Sequence, residues 1–293
     1  MAERDEREPP ARLGPREILR QAGLSPKRSF GQNFLTDPNV TRLIATVCVR
    51  DGEEARAEVV ELGAGTGALT QALLARAKRV VAVERDRDLV PILARVFADE
   101  VASGQLEIAE ADAQAVTMAG LLPTRENKAE RPLRVLCGNL PYQITGRLLQ
   151  RAVEQADDLD RVVFMVQKEV ADRLVAKPGS KEYGALTVFT RAAFDVKRAM
   201  TVSRHSFLPP PDVTSAVIEL TPVRPPRARE TDMFRALVKA AFGMRRKTLR
   251  NCWTELAGDR LVGAAATAGI SLDLRGETLD VTDFARMANA MES

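Results

Sequence analysis

Glu61-Leu-Gly63-Ala-Gly65-Thr-Gly67-Ala68 sets three glycines at alternate positions between a Val-rich run and a helical one. Glycines so placed let a ligand lie against backbone N–H groups at a helix N-terminus. Glu84 closes the next apolar run, where a carboxylate reaches ribose hydroxyls. The same spacing satisfies a dinucleotide pattern, so a nicotinamide enzyme stays open here, as does a tight turn with no ligand. Glu61 weighs against a dinucleotide, because a carboxylate there repels a pyrophosphate and suits a cation. A sulfonium with an ammonium, as in S-adenosylmethionine, meets that demand. Asp112, after a further apolar run, offers an acceptor for an adenine amino group or caps a helix, and spacing does not separate the two.

Asn139-Leu140-Pro141-Tyr142 follows a fourth apolar run. An exocyclic adenine amine is a poor nucleophile because its lone pair is delocalised into the ring. Acceptors aimed at its N–H hydrogens favour the pyramidal form that attacks a methyl group, and the Asn139 side-chain oxygen with a nearby backbone carbonyl supplies two. Tyr142 offers a ring on which a base stacks, worth about 1–3 kcal/mol, and Pro141 fixes the intervening backbone. A polar turn closing a strand is the plainer reading of the tripeptide. No strong base is required, since the amine becomes acidic once methylated. His205 is the sole histidine and has no partner motif, which disfavours nucleophilic triads, and no His, Cys or Asp cluster has metal-ligand spacing.

These groups need a frame. Glu58 to Leu62, Arg79 to Glu84, Leu133 to Cys137 and Arg161 to Val166 read as buried parallel strands, and Leu106 to Ala109 as a further strand. Helical segments at Thr66 to Arg76, Asp86 to Val101 and Thr145 to Gln155 alternate with them, with Asp86 and Thr145 as N-caps. The alternation predicts a doubly wound α/β sheet. Three prolines in Thr221 to Arg229 mark a linker. Beyond it, Phe234 to Phe242, Lys247 to Leu256 and Val281 to Met291 have helical periodicity. The expected division is a tail over 1–13 without order, an α/β domain over 14–222 and a small helical domain over 223–293.

Of 293 residues 45% are hydrophobic and 28% charged, ordinary for a globular chain. The first ten residues carry six charges and no apolar core, which excludes a secretory signal on composition, and no apolar run reaches bilayer length. Cys48, Cys137 and Cys252 are far apart and odd in number, so free thiols in a reducing cytoplasm are expected. Net charge is only +3. From Arg224 to Arg250, however, nine basic residues face Glu230 and Asp232 alone, a local net of +7 that predicts a polyanionic partner. Arg246 and Arg250 fall at i, i+4, as on one helix face.

Taken together, Phe30 to Leu35 (FGQNFL), Glu61 to Thr70, Asn139 to Thr145 (NLPYQIT), Phe207 to Val217 (FLPPPDVTSAV) and Phe242 to Asn251 (FGMRRKTLRN) resemble the ribosomal RNA adenine N6-dimethyltransferases, in particular their bacterial small-subunit branch. The resemblance implies a Rossmann-like class I S-adenosylmethionine-dependent methyltransferase domain with a small C-terminal helical domain. It implies cofactor contacts by Gln32, Asn33, Leu35, Glu61, Gly63, Gly65, Gly67, Glu84, Asp112, Ala113 and Asn139. The target adenine is implied against Asn139, Leu140, Tyr142 and Phe207, and RNA against Arg245, Arg246, Lys247 and Arg250. The implied activity is dimethylation of two adjacent adenines in the 3′-terminal hairpin of 16S ribosomal RNA, by a monomer acting on the assembling small subunit, without metal or membrane. A 23S adenine methyltransferase and a non-catalytic assembly factor are the competing readings.

Overall fold

The computed structural model describes residues 13–122 and 131–293. Residues 1–12, most of the tail expected to lack order, lie outside the described residues. Among the described residues there are nine strands: β1 (Phe34–Leu35), β2 (Ala57–Leu62), β3 (Arg79–Glu84), β4 (Leu106–Glu110), β5 (Leu133–Asn139), β6 (Arg161–Gln167), β7 (Phe194–Val202), β8 (Phe207–Leu208) and β9 (Ser215–Pro222). Seven make one sheet in the order β4-β3-β2-β5-β6-β9-β7. The first five are parallel, and β9 runs antiparallel to both β6 and β7. The four predicted parallel strands are present, and the further strand expected at Leu106 to Ala109 joins them in parallel as β4.

β2 and β5 adjoin, and from them the chain winds outward in opposite directions. Crevices at the carboxyl ends of such strands bind ligands, because the crossover loops diverge there. Alternation along β2 splits the core: Val59 packs with Ile44, Leu73 and Val135 on one face, Val60 and Leu62 with Leu136, Leu148 and Phe164 on the other. Cys48 and Cys137 meet in the first of these clusters as buried free thiols.

The C-terminal helices Asp232–Gly243, Leu249–Ala257, Leu261–Ala268 and Val281–Glu292 enclose a second core around Trp253 and Phe284, whose rings stand edge to face at 6.2 Å. Helix Ala185–Ala193, though N-terminal to the proline-rich stretch, gives Val188 and Ala192 to that core. Tyr183 also reaches in and donates its hydroxyl to the Leu279 carbonyl. The stretch itself is tied down, since the Val223 and Arg227 N–H groups donate to Ala193 and Ala192.

Several local expectations are corrected. The helix expected over 86–101 is two, Val90–Val96 and Ala98–Ala102, broken at Phe97. Asp86 precedes the assigned helix by four residues yet caps the turn that leads into it: its Oδ1 accepts from Asp88 N–H at 3.1 Å and its carbonyl from Leu89 and Val90 N–H, while Lys27 and Gln32 also engage its carboxylate. Thr145 is the first residue of helix Thr145–Glu154, and its hydroxyl donates back to Pro141 instead of accepting from the first turn. Arg246 and Arg250 do not share a helix: one ends at Gly243 and the next starts at Leu249, with a turn between.

Candidate active site

A cavity opens at the carboxyl ends of β2, β3 and β5. Its wall gathers Gln32, Asn33, Leu35, Glu61, Gly63, Gly65, Glu84, Asp112, Ala113, Asn139, Leu140 and Tyr142, most of the residues singled out above. Two others are placed elsewhere. Gly67 is not in the wall; it adopts φ 84°, and a Cβ there would stand 2.4 Å from the Phe97 ring. Phe207, 3% exposed, pairs across β8 with Leu35 of β1 and lines a neighbouring groove with Arg16 and His205.

The glycine turn is a backbone device. Gly63 and Gly65 have φ of 75° and 61°, open to glycine at no steric cost. A Cβ on Gly65 would touch the Phe34 ring at 3.0 Å. Glu84 stitches the turn to the next strand: one carboxylate oxygen accepts from Gly65 N–H at 2.8 Å, the other from Asp86 N–H at 2.7 Å. Burial pushes the Glu84 carboxyl up, and these amides pull part of the way back. Glu61, 1% exposed, accepts from the Thr70 hydroxyl at 2.6 Å. Burial pushes it up to about 7, against that hydrogen bond and with a further push from Glu84.

A buried acid at the edge of a cavity, with a second beside it, fits a ligand that brings positive charge. This yields a pH prediction. The Glu61 pKa is higher in the fold than its ordinary value of 4.5, so between those values the folded protein holds a proton that the unfolded chain does not. Stability of the ligand-free protein is therefore expected to fall as pH rises from about 5 to 8, and Glu84 contributes with the same sign. Thermal melts across that range should show the slope, and Glu61→Gln should flatten it; a wild-type slope in the variant would remove Glu61 as its source.

Asn139 ends β5. Its Nδ2 donates to the Asn33 carbonyl at 2.8 Å, which leaves Oδ1 to accept. Leu140 beneath it is 1% exposed. The Tyr142 hydroxyl lies 2.9 Å from Ser215 Oγ, and Ser215, fully buried at the start of β9, anchors the ring from the far side of the site. Asp112 does not cap a helix: its Oδ1 accepts from Gln114 N–H in a turn, 41% of its side chain is exposed, and Arg85 approaches at 3.6 Å.

Sequence reasoning missed the part played by one lining residue and one strand glycine. Phe30 is only partly buried and forms wall under the Arg85 guanidinium at 4.5 Å. Gly138, in β5 and outside the wall, was also passed over: a Cβ there would stand 2.5 Å from the Leu62 carbonyl of β2. A glycine inside an otherwise apolar strand was the available signal.

The sheet order, the glycine turn and the acid ending β3 define a class I methyltransferase. The solved dimethyladenosine transferase of Plasmodium falciparum superposes with a TM-score of 0.70 at 24% identity, covering 87% of this chain and 95% of that one. The 23S rRNA methyltransferase ErmE gives 0.63 at 22% identity, covering 89% and 100%. At this identity the two speak for the fold alone. The sequence model of the family described as "Ribosomal RNA adenine dimethylase" matches residues 23–293. "Ribosomal RNA small subunit methyltransferase A" of Geobacter metallireducens is 40% identical over 279 residues, 93% of this chain and 98% of that one. The protein of the same description in Magnetococcus marinus is 42% identical over 275 residues, covering 93% and 94%. This chain belongs to the ribosomal RNA adenine dimethylase family, and the nicotinamide reading falls.

Proposed function

We propose that this chain transfers methyl groups from S-adenosylmethionine to N6 of two adjacent adenines in the 3′-terminal hairpin loop of 16S ribosomal RNA, two to each, during late assembly of the small subunit. The observation that carries the reading is the opening of Asn139-Leu140-Pro141-Tyr142 into the same cavity as Glu61, Gly63, Glu84 and Asp112. The relatives at about 40% identity favour the small-subunit substrate over the 23S reading.

The cavity fits the proposed donor, since its buried carboxylates suit a cation and its turn presents backbone amides. S-adenosylmethionine supplies an electrophilic methyl group on a sulfonium. Glu61 faces the positive end of that molecule, Glu84 the ribose hydroxyls, and Asp112 with Ala113 the adenine. Gln32, Asn33 and Leu35 cover it from the N-terminal segment. Asn139 Oδ1 and the Leu140 region accept the two hydrogens of the target amine, localising the nitrogen lone pair toward the methyl carbon. Tyr142 stacks on the target base. As the N–C bond forms, the bonding pair leaves with sulfur, and the proton released from nitrogen passes to water. Adenines in a loop are already partly unstacked, which lowers the cost of presenting one here.

Residues 223–293 form the proposed docking domain. Of the nine basic residues from Arg224 to Arg250, four are engaged within the protein. Arg224 holds the Leu159 carbonyl and the Asp160 carboxylate, Arg227 pairs with Asp195, Arg235 with Glu230, and Arg245 with Glu277 and the Lys181 carbonyl. Arg229, Lys239, Arg246, Lys247 and Arg250 are exposed and are the proposed phosphate contacts. Five such contacts predict a slope of log K against log salt of about −3.5, at roughly −0.7 per contact. Particle binding by Arg246→Ala should lose about one contact's worth of slope. Arg245→Ala should leave the slope unchanged and lower the melting temperature instead. The reverse pattern would refute the assignment.

The enzyme is proposed to act as a monomer in the cytoplasm, without a metal ion. The deciding experiment is transfer of labelled methyl to small subunits lacking the modification, against large subunits and naked RNA, with nucleoside mass spectrometry. Dimethyladenosine on small subunits alone is the expected result. Label on large subunits would move the chain to the 23S reading, and tight binding without label would make it an assembly factor.

A further inference from the structure

The segment Lys27 to Leu35 crosses the cavity mouth and is fastened at three places. Its end is β1, paired with β8. Its middle is the Asn33 carbonyl, which receives the Asn139 amide at 2.8 Å. Its start is a group the reaction itself does not use, the Asp86 carboxylate, 3% exposed and just beyond β3. One Asp86 oxygen accepts from Lys27 Nζ at 2.5 Å and from Asp88 N–H at 3.1 Å; the other accepts from Gln32 Nε2 at 2.8 Å. The Gln32 side-chain Oε1 turns back to accept from Lys27 N–H at 2.8 Å, closing a ring. Phe30, in the chain so closed, has Lys27 Nζ 5.5 Å and the Arg85 guanidinium 4.5 Å from its ring centroid. Asp86 also donates its own N–H to Glu84.

We propose that Asp86, through its ion pair with Lys27 and its hydrogen bond to Gln32, is a positioning residue for methyl transfer: it clamps residues 27–33 so that the Asn33 carbonyl holds the Asn139 amide with Oδ1 toward the target nitrogen. The inference rests on the function proposed above. The physical case is one of over-determination. An asparagine amide rotates about a soft terminal torsion, and here a single hydrogen bond, made to a segment with no long secondary structure, chooses its orientation. That bond is only as well placed as the segment, and the segment's start is fixed by charge. Burial alone would push the Asp86 carboxyl up, but Lys27, Gln32 and the Asp88 N–H together hold it below the ordinary aspartate range. The clamp is thus ionised at the pH of the reaction. The Gly31 turn adds a contact on the same side, its α-carbon facing the Gln143 side chain with room for a Cβ only 3.1 Å from Gln143 Oε1.

The test uses the full-length protein, unmodified small subunits and saturating S-adenosylmethionine, with single-turnover rates expressed per bound S-adenosylhomocysteine so that any unfolded fraction drops out. Asp86→Asn is expected to slow transfer about 10- to 100-fold, the scale of a reacting group displaced by about an ångström. Lys27→Met should match it, the double variant should be no slower than either single, and Lys27→Arg, which keeps the cation, should recover most of the loss. Amide exchange over residues 27–35 should rise in the two single variants and their double, and not in Lys27→Arg. Asp86→Asn within twofold of wild type would overturn the proposal, as would losses that multiply in the double variant. Asn139→Ala in the same assay separates the two levels: if it too retains activity, the proposed site itself fails, whereas if it alone is inactive, only the clamp does.

Discussion

Asn139→Ala should slow methyl transfer by about 10²- to 10³-fold while leaving the protein folded and bound to its particle. Nδ2 is held by Asn33, and in the proposed mechanism Oδ1 is the acceptor that draws a hydrogen of the target amine out of conjugation. Removing one preorganised polar group aimed at a reacting centre costs about 10²- to 10³-fold in rate. The truncation also frees the Asn33 carbonyl, so affinity for S-adenosylmethionine should fall by less than the rate. Asn139→Asp is no rescue, since a carboxylate cannot donate to Asn33 and would face its carbonyl oxygen. Single-turnover transfer to unmodified subunits, alongside sedimentation of the protein with those subunits, measures the two effects separately. Rates near wild type would mean that the amine is activated by other groups.

Gly138→Ala is expected to be the most damaging one-carbon change in the sheet. The added Cβ would stand 2.5 Å from the Leu62 carbonyl oxygen, 3.2 Å from Leu62 Cβ and 3.3 Å from Leu140 Cδ2. The first of these is backbone of the paired strand, so no side-chain rotation relieves it and β2 and β5 must part. Overpacking of this kind costs about 1–3 kcal/mol, a drop of roughly 2–10 °C in melting temperature for a chain of this length. The strands that separate carry Glu61 and Asn139, so cofactor affinity and rate should both fall. Gly146 is the control: it lies in helix Thr145–Glu154 with nothing within 4 Å of a built Cβ, and Gly146→Ala should leave stability unchanged or raise it by up to about 1 kcal/mol. If calorimetry finds the two variants melting alike, the close approach of the strands is not what requires glycine.

Much of the molecule was legible along the chain. The parallel strands announced themselves as Val- and Leu-rich runs because both of their faces are buried, as the uninterrupted burial of Leu133 to Gly138 shows. β7 escaped notice for the opposite reason: as the outer strand of the sheet it exposes Asp195, Lys197 to Ala199 in part or whole, and Thr201, and charge on an edge strand guards against pairing with other chains. β1 and β8 are two residues each, too short for any periodicity. Helices Pro15–Ala22, Pro38–Cys48 and Lys168–Val175 were likewise passed over.

The chemistry followed the same division. The glycine turn, Glu84 and the Asn139 tripeptide could be read from sequence because each is a local pattern attached to the end of a strand, and their joint order along the chain carried the family. Tertiary structure alone decided that Glu61 is fully enclosed, that Gly67 serves Phe97 rather than the cavity, and that Arg245 is spent on Glu277 while Arg246 faces solvent. It alone brought Asn33 to Asn139 across 106 residues and Gln32 to Asp86 across 54. Propensity, patterning and turn chemistry act over a few neighbouring residues and so are written in the order of side chains. Desolvation, hydrogen-bond choice and charge pairing depend on which distant atoms share a few ångströms, and only the closed fold sets those distances.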